Sequence, residues 1–262
     1  MRTVIKLGLG DAQTYAEIGR ITTFSRMQFL VDPSRLWLTP AAWLYLAFIG
    51  VILPLGALRQ HRRLSAAGVV MPPRLSLYFS ALATHAMFVL FAWGVSRDLD
   101  VNLWVTLRPT ALHITVGLAA LAIGLLPLLP QLQIDNAVGK ARAKLLAPQT
   151  KSEHLAFYGI CVSAGIAEEL AYRGLLFTLL AALLGGWWFP ALVASATFGI
   201  VHLFQGWKSA GIAGLMGMRE HIVVGLTGSL FVAIVVHMLH DAITGTVIAA
   251  RVRRAEEANA IS

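Results

Sequence analysis

Residues 165–177 read GIAEELAYRGLLF and place two glutamates and an arginine inside an apolar stretch. A charged side chain at the centre of a membrane helix costs about 2.5–3.5 kcal/mol on insertion scales, so three of them together require a role. At 3.6 residues per turn, Glu169 and Arg173 stand at i, i+4 in the order that favours an ion pair. Glu168 points about 100° away, on the face shared with Tyr172. The spacing predicts that Arg173 neutralises Glu169, whereas Glu168 needs a partner on another helix or a proton.

Two later apolar stretches contain histidines that can supply this partner. TFGIVHLF places Phe198 and His202 one helical turn apart, and VVHMLHDAITG places His237 and Asp241 at i, i+4. Ionisable groups inside a membrane tend to face one another or a water-filled cavity. We therefore predict that Glu168 lies close to these two histidines and Asp241 in one site.

Such a set of side chains has two chemical uses. A carboxylate and an imidazole within reach of one water can remove its proton and produce a nucleophile for a peptide carbonyl, and further donors can stabilise the oxyanion. The same groups can hold a divalent metal such as zinc, which commonly takes three His, Glu or Asp ligands and a water. The residues alone leave both uses open. If a metal is present, its ligands are expected to be Glu168, His202, His237 and Asp241.

The composition indicates which elements position these residues. The chain has 262 residues, of which 57% are hydrophobic and 13% charged, whereas soluble domains carry about 25% charged residues. Apolar runs recur near the length that crosses a hydrocarbon core of about 30 Å. We therefore predict an all-α, polytopic integral membrane protein of about seven transmembrane helices. The predicted spans are 40–58, 75–95, 109–130, 154–184, 187–206, 208–226 and 229–250.

The net charge of +8 comes from basic residues in the connections between spans, which favours a lipid bilayer rather than nucleic acid as the partner. One set of alternating connections holds twelve basic residues: Arg59, Arg62, Arg63, Arg74, Lys140, Arg142, Lys144, Lys151, Lys208, Arg251, Arg253 and Arg254. The other set holds three: Arg97, Arg108 and Arg219. The positive-inside rule then predicts a multi-pass protein of the plasma (inner) membrane with a cytoplasmic C-terminus. The basic residues before position 39 leave the side of the N-terminus open.

The distribution of polar residues divides the chain into four parts. Residues 1–38 form an N-terminal surface or amphipathic segment, and residues 39–153 contain three plain transmembrane helices and a basic cytoplasmic loop. Residues 154–250 form the catalytic membrane domain, and residues 251–262 a basic tail. All candidate chemistry is expected in the second half. There, Cys161 is expected to be a packing residue rather than a nucleophile.

The three motifs together resemble a known membrane family, which unites CAAX prenyl proteases with bacteriocin-processing and bacteriocin-immunity proteins (the CPBP or Abi family). The family pattern EExxxR, FxxxH and HxxxN or HxxxD matches residues 168–173, 198–202 and 237–241, and the resemblance covers roughly 154–250. It implies an intramembrane endopeptidase with a site open to the cytosol and a membrane-associated protein or peptide as substrate.

The resemblance also implies a role for each matched residue. Glu168 and His202 would activate water, and His237 and Asp241 would polarise the carbonyl or hold the oxyanion. The supporting residues would be Glu169, Tyr172, Arg173 and Phe198. The resemblance favours an enzyme without a tightly bound catalytic metal.

One stretch departs from the family pattern. Arg219, Glu220 and His221 fall where the family has apolar helix. Either the sixth helix ends near Met218, or the protein contains an additional polar element.

Two other functions remain open at this stage. A proton-coupled transporter would use buried acids and histidines as a relay, although paired broken helices in corresponding halves are missing from the pattern. A non-catalytic bacteriocin-immunity membrane protein would bind a partner without hydrolysis.

Overall fold

The computed structural model describes residues 39–65, 72–101, 103, 110–128 and 144–261. Over these residues the protein is helical and contains no strand. The seven long helices in this part of the chain are α1 (Pro40–Leu64), α2 (Arg74–Asp98), α3 (Ala111–Leu128), α4 (151–184), α5 (Trp188–Gln205), α6 (Trp207–Thr227) and α7 (Leu230–Ile261). The predicted all-α architecture is confirmed. The N-terminal segment 1–38 and residues 131–143 of the basic loop lie outside the described residues.

The length of the helices and their exposed apolar side chains are typical of a protein that lies in a lipid bilayer. Helices α1, α2, α3, α5 and α7 are long and apolar enough to cross a membrane. Large apolar side chains such as Leu44, Leu90, Leu118 and Leu215 are more than 60% exposed on the outer surface of the bundle, where lipid tails can cover them. The protein is therefore a multi-pass membrane protein, and the two remaining helices, α4 and α6, contain the buried charges.

Two helix ends differ from the predicted spans. Helix α1 continues to Leu64 instead of ending at 58, and α7 continues to Ile261 instead of ending at 250. The predicted basic tail 251–262 is thus helical through Ile261. Residues 246–261 contain neither glycine nor proline, so the helix meets no breaker where the apolar pattern stops.

Helix α4 is the central helix of the bundle. Every residue from 169 to 179 is buried. Helices α2 and α7 pack against its first half, and α5 and α6 join them around Glu169–Leu176. Because α4 is enclosed on all sides there, its charged residues face other helices and not lipid.

The central turns of α4 have π-helical geometry over Glu169–Leu176. A π segment widens the helix and leaves backbone carbonyls without their usual partners. The Tyr45 hydroxyl of α1 donates to the Ala171 carbonyl at 3.0 Å. Helix α1 thus supplies a hydrogen-bond donor to a backbone carbonyl in the first turn of the π segment, three residues after Glu168.

Helices α5 and α6 pack closely as a hairpin. Gly206 joins them with φ +103, a conformation that glycine adopts without steric cost. A Cβ atom at Gly199 would lie 2.7 Å from the Ala210 carbonyl oxygen. This close approach fixes the end of α5, which carries His202.

Candidate active site

Glu168 lies between two imidazole rings that come from other helices. Its Oε1 is 3.5 Å from Nε2 of His85 in α2, and its Oε2 is 3.7 Å from Nε2 of His237 in α7. The Glu168 side chain is 13% exposed, so it is neither sealed in the core nor open to solvent. Each carboxylate oxygen thus faces one histidine nitrogen.

Glu169 has a different environment, although it is the next residue. Its side chain is fully buried and its Oε1 lies 3.1 Å from Arg173 Nη1, which forms the i, i+4 ion pair. The same oxygen is 2.8 Å from His237 Nδ1. Since a carboxylate can only accept, Nδ1 carries a proton and donates to Glu169. Glu169 therefore joins the Arg173 side chain to the α7 histidine.

His237 is the junction of the acidic residues. With Nδ1 bound to Glu169, its Nε2 faces the site, 3.7 Å from Glu168 Oε2 and 3.4 Å from Asp241 Oδ2. Three carboxylates thus surround one ring. The His237 side chain is 10% exposed and that of Asp241 is 35% exposed, so the site opens towards Asp241.

Asp241 is oriented by its neighbour on α7. Nδ1 of His240 is 3.1 Å from Asp241 Oδ1, and Nε2 of His240 is 3.1 Å from the Gly124 carbonyl oxygen of α3. His240 connects the site to α3. By helical spacing, His240 does not lie on the helix face shared by His237 and Asp241. Its contacts with Asp241 and with the Gly124 carbonyl become visible only once α3 is packed against α7.

His202 is placed by the last turns of α5. Its Nδ1 lies 2.7 Å from the Phe198 carbonyl oxygen, which can only accept, so Nδ1 carries the proton. In the neutral ring, Nε2 is then free to accept a proton. The Phe198 ring contacts both histidines, with centroids 4.6 Å from His202 and 6.2 Å from His237.

The supporting residues form a layer beneath these histidines. The Arg173 guanidinium lies 4.4 Å from the centroid of the Phe198 ring, and the Tyr172 ring meets Phe198 edge-on at 5.1 Å. The buried Tyr172 hydroxyl has no hydrogen-bond partner among the described residues. The structure thus brings Tyr172, Arg173 and Phe198 into one cluster next to Glu169 and His202.

One residue close to Glu168 comes from the first half of the chain, although all candidate chemistry is expected in the second half. His85 is buried in the second helix, with Nε2 towards Glu168 and Nδ1 2.8 Å from Ser163 Oγ. The signal available in the sequence was the same as for His202, namely a histidine in the middle of an apolar span. It belongs to no recognisable motif, because its contact with Glu168 is made between helices that are far apart in the sequence.

The departure at residues 219–221 is an additional polar element, and α6 does not end at Met218. Helix α6 runs continuously to Thr227, and Arg219, Glu220 and His221 are all buried. Arg219 forms an ion pair with Glu220 and donates from Nη1 to the Ala120 carbonyl of α3 at 3.2 Å. Arg219 therefore lies inside a helix and not in a connection between spans. Its assignment to the three basic residues of the alternate connections was wrong.

The ring nitrogens of His202 and His237 determine how these residues could contact a metal ion. No group of three or more His, Cys, Asp and Glu side chains in the described part of the chain is arranged to hold a metal ion. His237 uses Nδ1 to bind Glu169, and His202 uses Nδ1 to bind its own helix backbone. With Nδ1 of both rings bound in this way, each Nε2 is free to contact water, substrate or a metal ion.

Two shallow cavities lie near the open end of the site. One, of about 310 Å³, is lined by Tyr158, Ala242, Ile243, Thr246 and Val247. The other, of about 220 Å³, lies nearer the end of α7 and is lined by residues that include His154 and Glu256. Neither is lined by Glu168, His202 or His237, although the first begins directly after Asp241.

Comparison with known proteins identifies the region that carries these side chains. Residues 150–243 match the family model described as type II CAAX prenyl endopeptidase Rce1-like. No curated protein matches the chain significantly. No solved structure matches it significantly either. The matched region contains all three motifs, so the chain is similar to this family over the part that carries the site.

Proposed function

We propose that the protein is an intramembrane endopeptidase that hydrolyses a peptide bond of a membrane-associated protein or peptide. The observation that supports this most strongly is the placement of Glu168. Its carboxylate lies within 3.7 Å of imidazole nitrogens from two other helices, and it is partly accessible. The family assignment supports a protease as the enzyme class, and the arrangement supplies the groups for hydrolysis.

In the proposed mechanism, Glu168 and His202 activate the attacking water. The water lies within hydrogen-bond distance, about 2.6–3.2 Å, of the Glu168 carboxylate and of His202 Nε2. His202 Nδ1 donates to a backbone carbonyl, which leaves Nε2 as the acceptor. Removal of a proton from the water produces the hydroxide that attacks the carbonyl carbon.

The tetrahedral intermediate needs a donor for its oxyanion. Three carboxylates surround His237 and favour its imidazolium form, in which Nδ1 donates to Glu169 and the Nε2 proton faces the site. Asp241 lies 3.4 Å from the same nitrogen and orients it. When the intermediate collapses, the C–N bond breaks, and the proton taken from the water passes to the leaving amine.

The proposal is tested by comparing the membrane proteomes of cells with the wild-type protein and with Glu168→Gln. Wild-type cells are expected to contain a shortened membrane protein whose uncleaved precursor accumulates with the variant. Identical membrane proteomes, with the variant present at the wild-type level, would contradict the proposal. A change in proton-driven uptake without any change in cleavage would instead favour a transporter.

A further inference from the structure

His85 makes two contacts that connect the first half of the chain to the site. Its Nδ1 is 2.8 Å from Ser163 Oγ, and its Nε2 is 3.5 Å from Glu168 Oε1. His85 is 7% exposed and belongs to α2, outside the matched residues 150–243. The family match therefore assigns it no role.

The chemistry of the partners determines which atom of His85 donates. A general base must be ionised, and an ionised carboxylate can only accept hydrogen bonds. Nε2 of His85 must then carry the proton in its contact with Glu168. The Ser163 hydroxyl has a single proton: it donates either to a neutral Nδ1 or to the Ile160 carbonyl, and in the second case its oxygen accepts from a protonated Nδ1.

Ser163 is itself fixed in position. Its Oγ lies 3.0 Å from the Ile160 carbonyl of its own helix, and it stands five residues before Glu168. Both ring nitrogens of His85 thus face α4: Nδ1 contacts Ser163, and Nε2 faces the Glu168 carboxylate.

We propose that His85, held by Ser163, is a positioning residue that orients the Glu168 carboxylate to accept a proton from the attacking water. This inference rests on the proposed function of Glu168. Nε2 of His85 and Nε2 of His237 lie 3.5 and 3.7 Å from one carboxylate oxygen each, and attraction to both rings favours one orientation of the carboxylate and leaves its remaining lone pairs for the water. Restricting a reactive group to its productive geometry raises the rate without changing substrate binding.

Two amide substitutions separate the two contacts of the ring. The amide of His85→Gln reaches the position of Nε2 and can still donate to Glu168, whereas that of His85→Asn reaches only the position of Nδ1 and Ser163. Cleavage of a farnesylated peptide ending in a CAAX sequence is measured in proteoliposomes. We expect kcat to fall about 10- to 100-fold in His85→Asn with KM unchanged, and to recover substantially in His85→Gln.

The matched control is His154→Gln, in which the altered histidine lies on α4 and binds the Thr150 carbonyl away from the site. It is expected to cleave the peptide at the wild-type rate. Equal kcat values for His85→Asn and His85→Gln, with both variants folded, would overturn the proposal. So would a loss that lies entirely in KM.

A measurement without substrate distinguishes this inference from the proposed function. In protein labelled with ¹⁵N-histidine, the Nε2 resonance of His85, assigned by its loss in His85→Gln, is expected to shift in Glu168→Gln. The Nδ1 resonance is expected to shift in Ser163→Ala. If both shifts occur but the peptide is not cleaved and no precursor accumulates in cells with Glu168→Gln, the positioning contact stands and the proposed activity fails. If neither resonance moves, the role of His85 is refuted whatever the activity.

Discussion

Glu168 and Glu169 are adjacent and chemically identical, but their neighbours differ. Glu169 is fully buried and binds Arg173 and His237, whereas Glu168 is partly exposed and faces only histidine nitrogens. A buried, paired carboxylate is suited to fixing other side chains. A partly accessible carboxylate without a cationic arginine is suited to accepting a proton from water.

The first prediction follows from this difference. Glu168→Gln should retain the fold and lower the cleavage rate about 10²- to 10⁴-fold, because an amide cannot accept the proton of the water. Glu169→Gln should lower the thermal stability more and the rate less, because it leaves the Arg173 guanidinium without its counter-charge. Rates and melting temperatures of the two purified variants test this. A well-folded Glu169→Gln protein that is the slower of the two would reverse the assignment.

At this scale the sequence predicts part of the site. Helical spacing identifies the Glu169–Arg173 pair and shows that Glu168 lacks a partner within its helix. It does not identify His85 as that partner, because periodicity describes one helix and not the contact between two. It also does not show that Glu169 binds His237 at 2.8 Å.

The elements determine how accurately these side chains are placed. Helix α4 begins with a capping box, in which Thr150 accepts from the Glu153 backbone and Glu153 accepts from the Thr150 backbone. Arg74 at the start of α2 adds an ion pair to Glu153 at 3.1 Å. This cluster joins the ends of the two helices that carry His85 and Glu168.

A second prediction concerns the pH dependence of this junction. Burial opposes ionisation of Glu153, but donation from the Gln149 and Thr150 backbones and from Arg74 outweighs it, so the pKa of Glu153 lies below its usual value. The ionised form therefore stabilises the fold above a pH of about 4.5, and this stabilisation is lost as the pH falls through the lowered pKa. Wild type should exceed Glu153→Gln in thermal stability at pH 7 by about 1 kcal/mol, the typical value of a helix cap. The difference should shrink towards pH 4, and a difference that grows on acidification would contradict this account.

A third prediction concerns the hairpin of α5 and α6. A Cβ at Gly199 would lie 2.7 Å from the Ala210 oxygen, whereas a Cβ at Gly211 would meet nothing within 4 Å. Gly199→Ala should therefore separate the two helices, move His202, and lower both stability and cleavage rate. Gly211→Ala, the matched control, should be neutral or stabilising by up to about 1 kcal/mol because alanine favours a helix. Melting temperatures of the two variants decide this, and equal values would show that the contact is unimportant.

The sequence predicts the number of helices better than their internal geometry. Each of the seven predicted spans corresponds to a helix among the described residues, and five of these helices are long and apolar enough to cross a membrane. The π geometry of Glu169–Leu176 was not predicted, since it depends on enclosure by neighbouring helices rather than on local composition. The same limit explains Arg219, whose burial depends on its contacts with Glu220 and α3.

Over the whole molecule, several polar contacts join helix ends at one side of the bundle. Lys144 Nζ lies 2.7 Å from Glu256 near the end of α7, and Arg251 donates to the Leu128 carbonyl at the end of α3. The Arg74–Glu153 pair joins the starts of α2 and α4. These four ends are those that the alternation of seven spans assigns to one side of the membrane.

The fourth prediction is that this side is cytoplasmic. In a protein whose only cysteine, Cys161, is replaced by serine, single cysteines at Lys144 and Arg253 should react with an impermeant maleimide only in inside-out vesicles. A cysteine at Asp98, at the opposite end of α2, should react in intact cells. Labelling of position 144 or 253 from outside intact cells would reverse the orientation derived from the loop charges.

The central claim is that water activated by Glu168 hydrolyses a peptide bond within the membrane. The most direct test is cleavage of a farnesylated CAAX peptide by purified protein in proteoliposomes prepared in H₂¹⁸O. The account predicts a product whose new carboxylate contains one ¹⁸O atom, formed by the wild-type protein and reduced at least about 100-fold in folded Glu168→Gln. Cleavage that continues at the wild-type rate in Glu168→Gln would contradict the account.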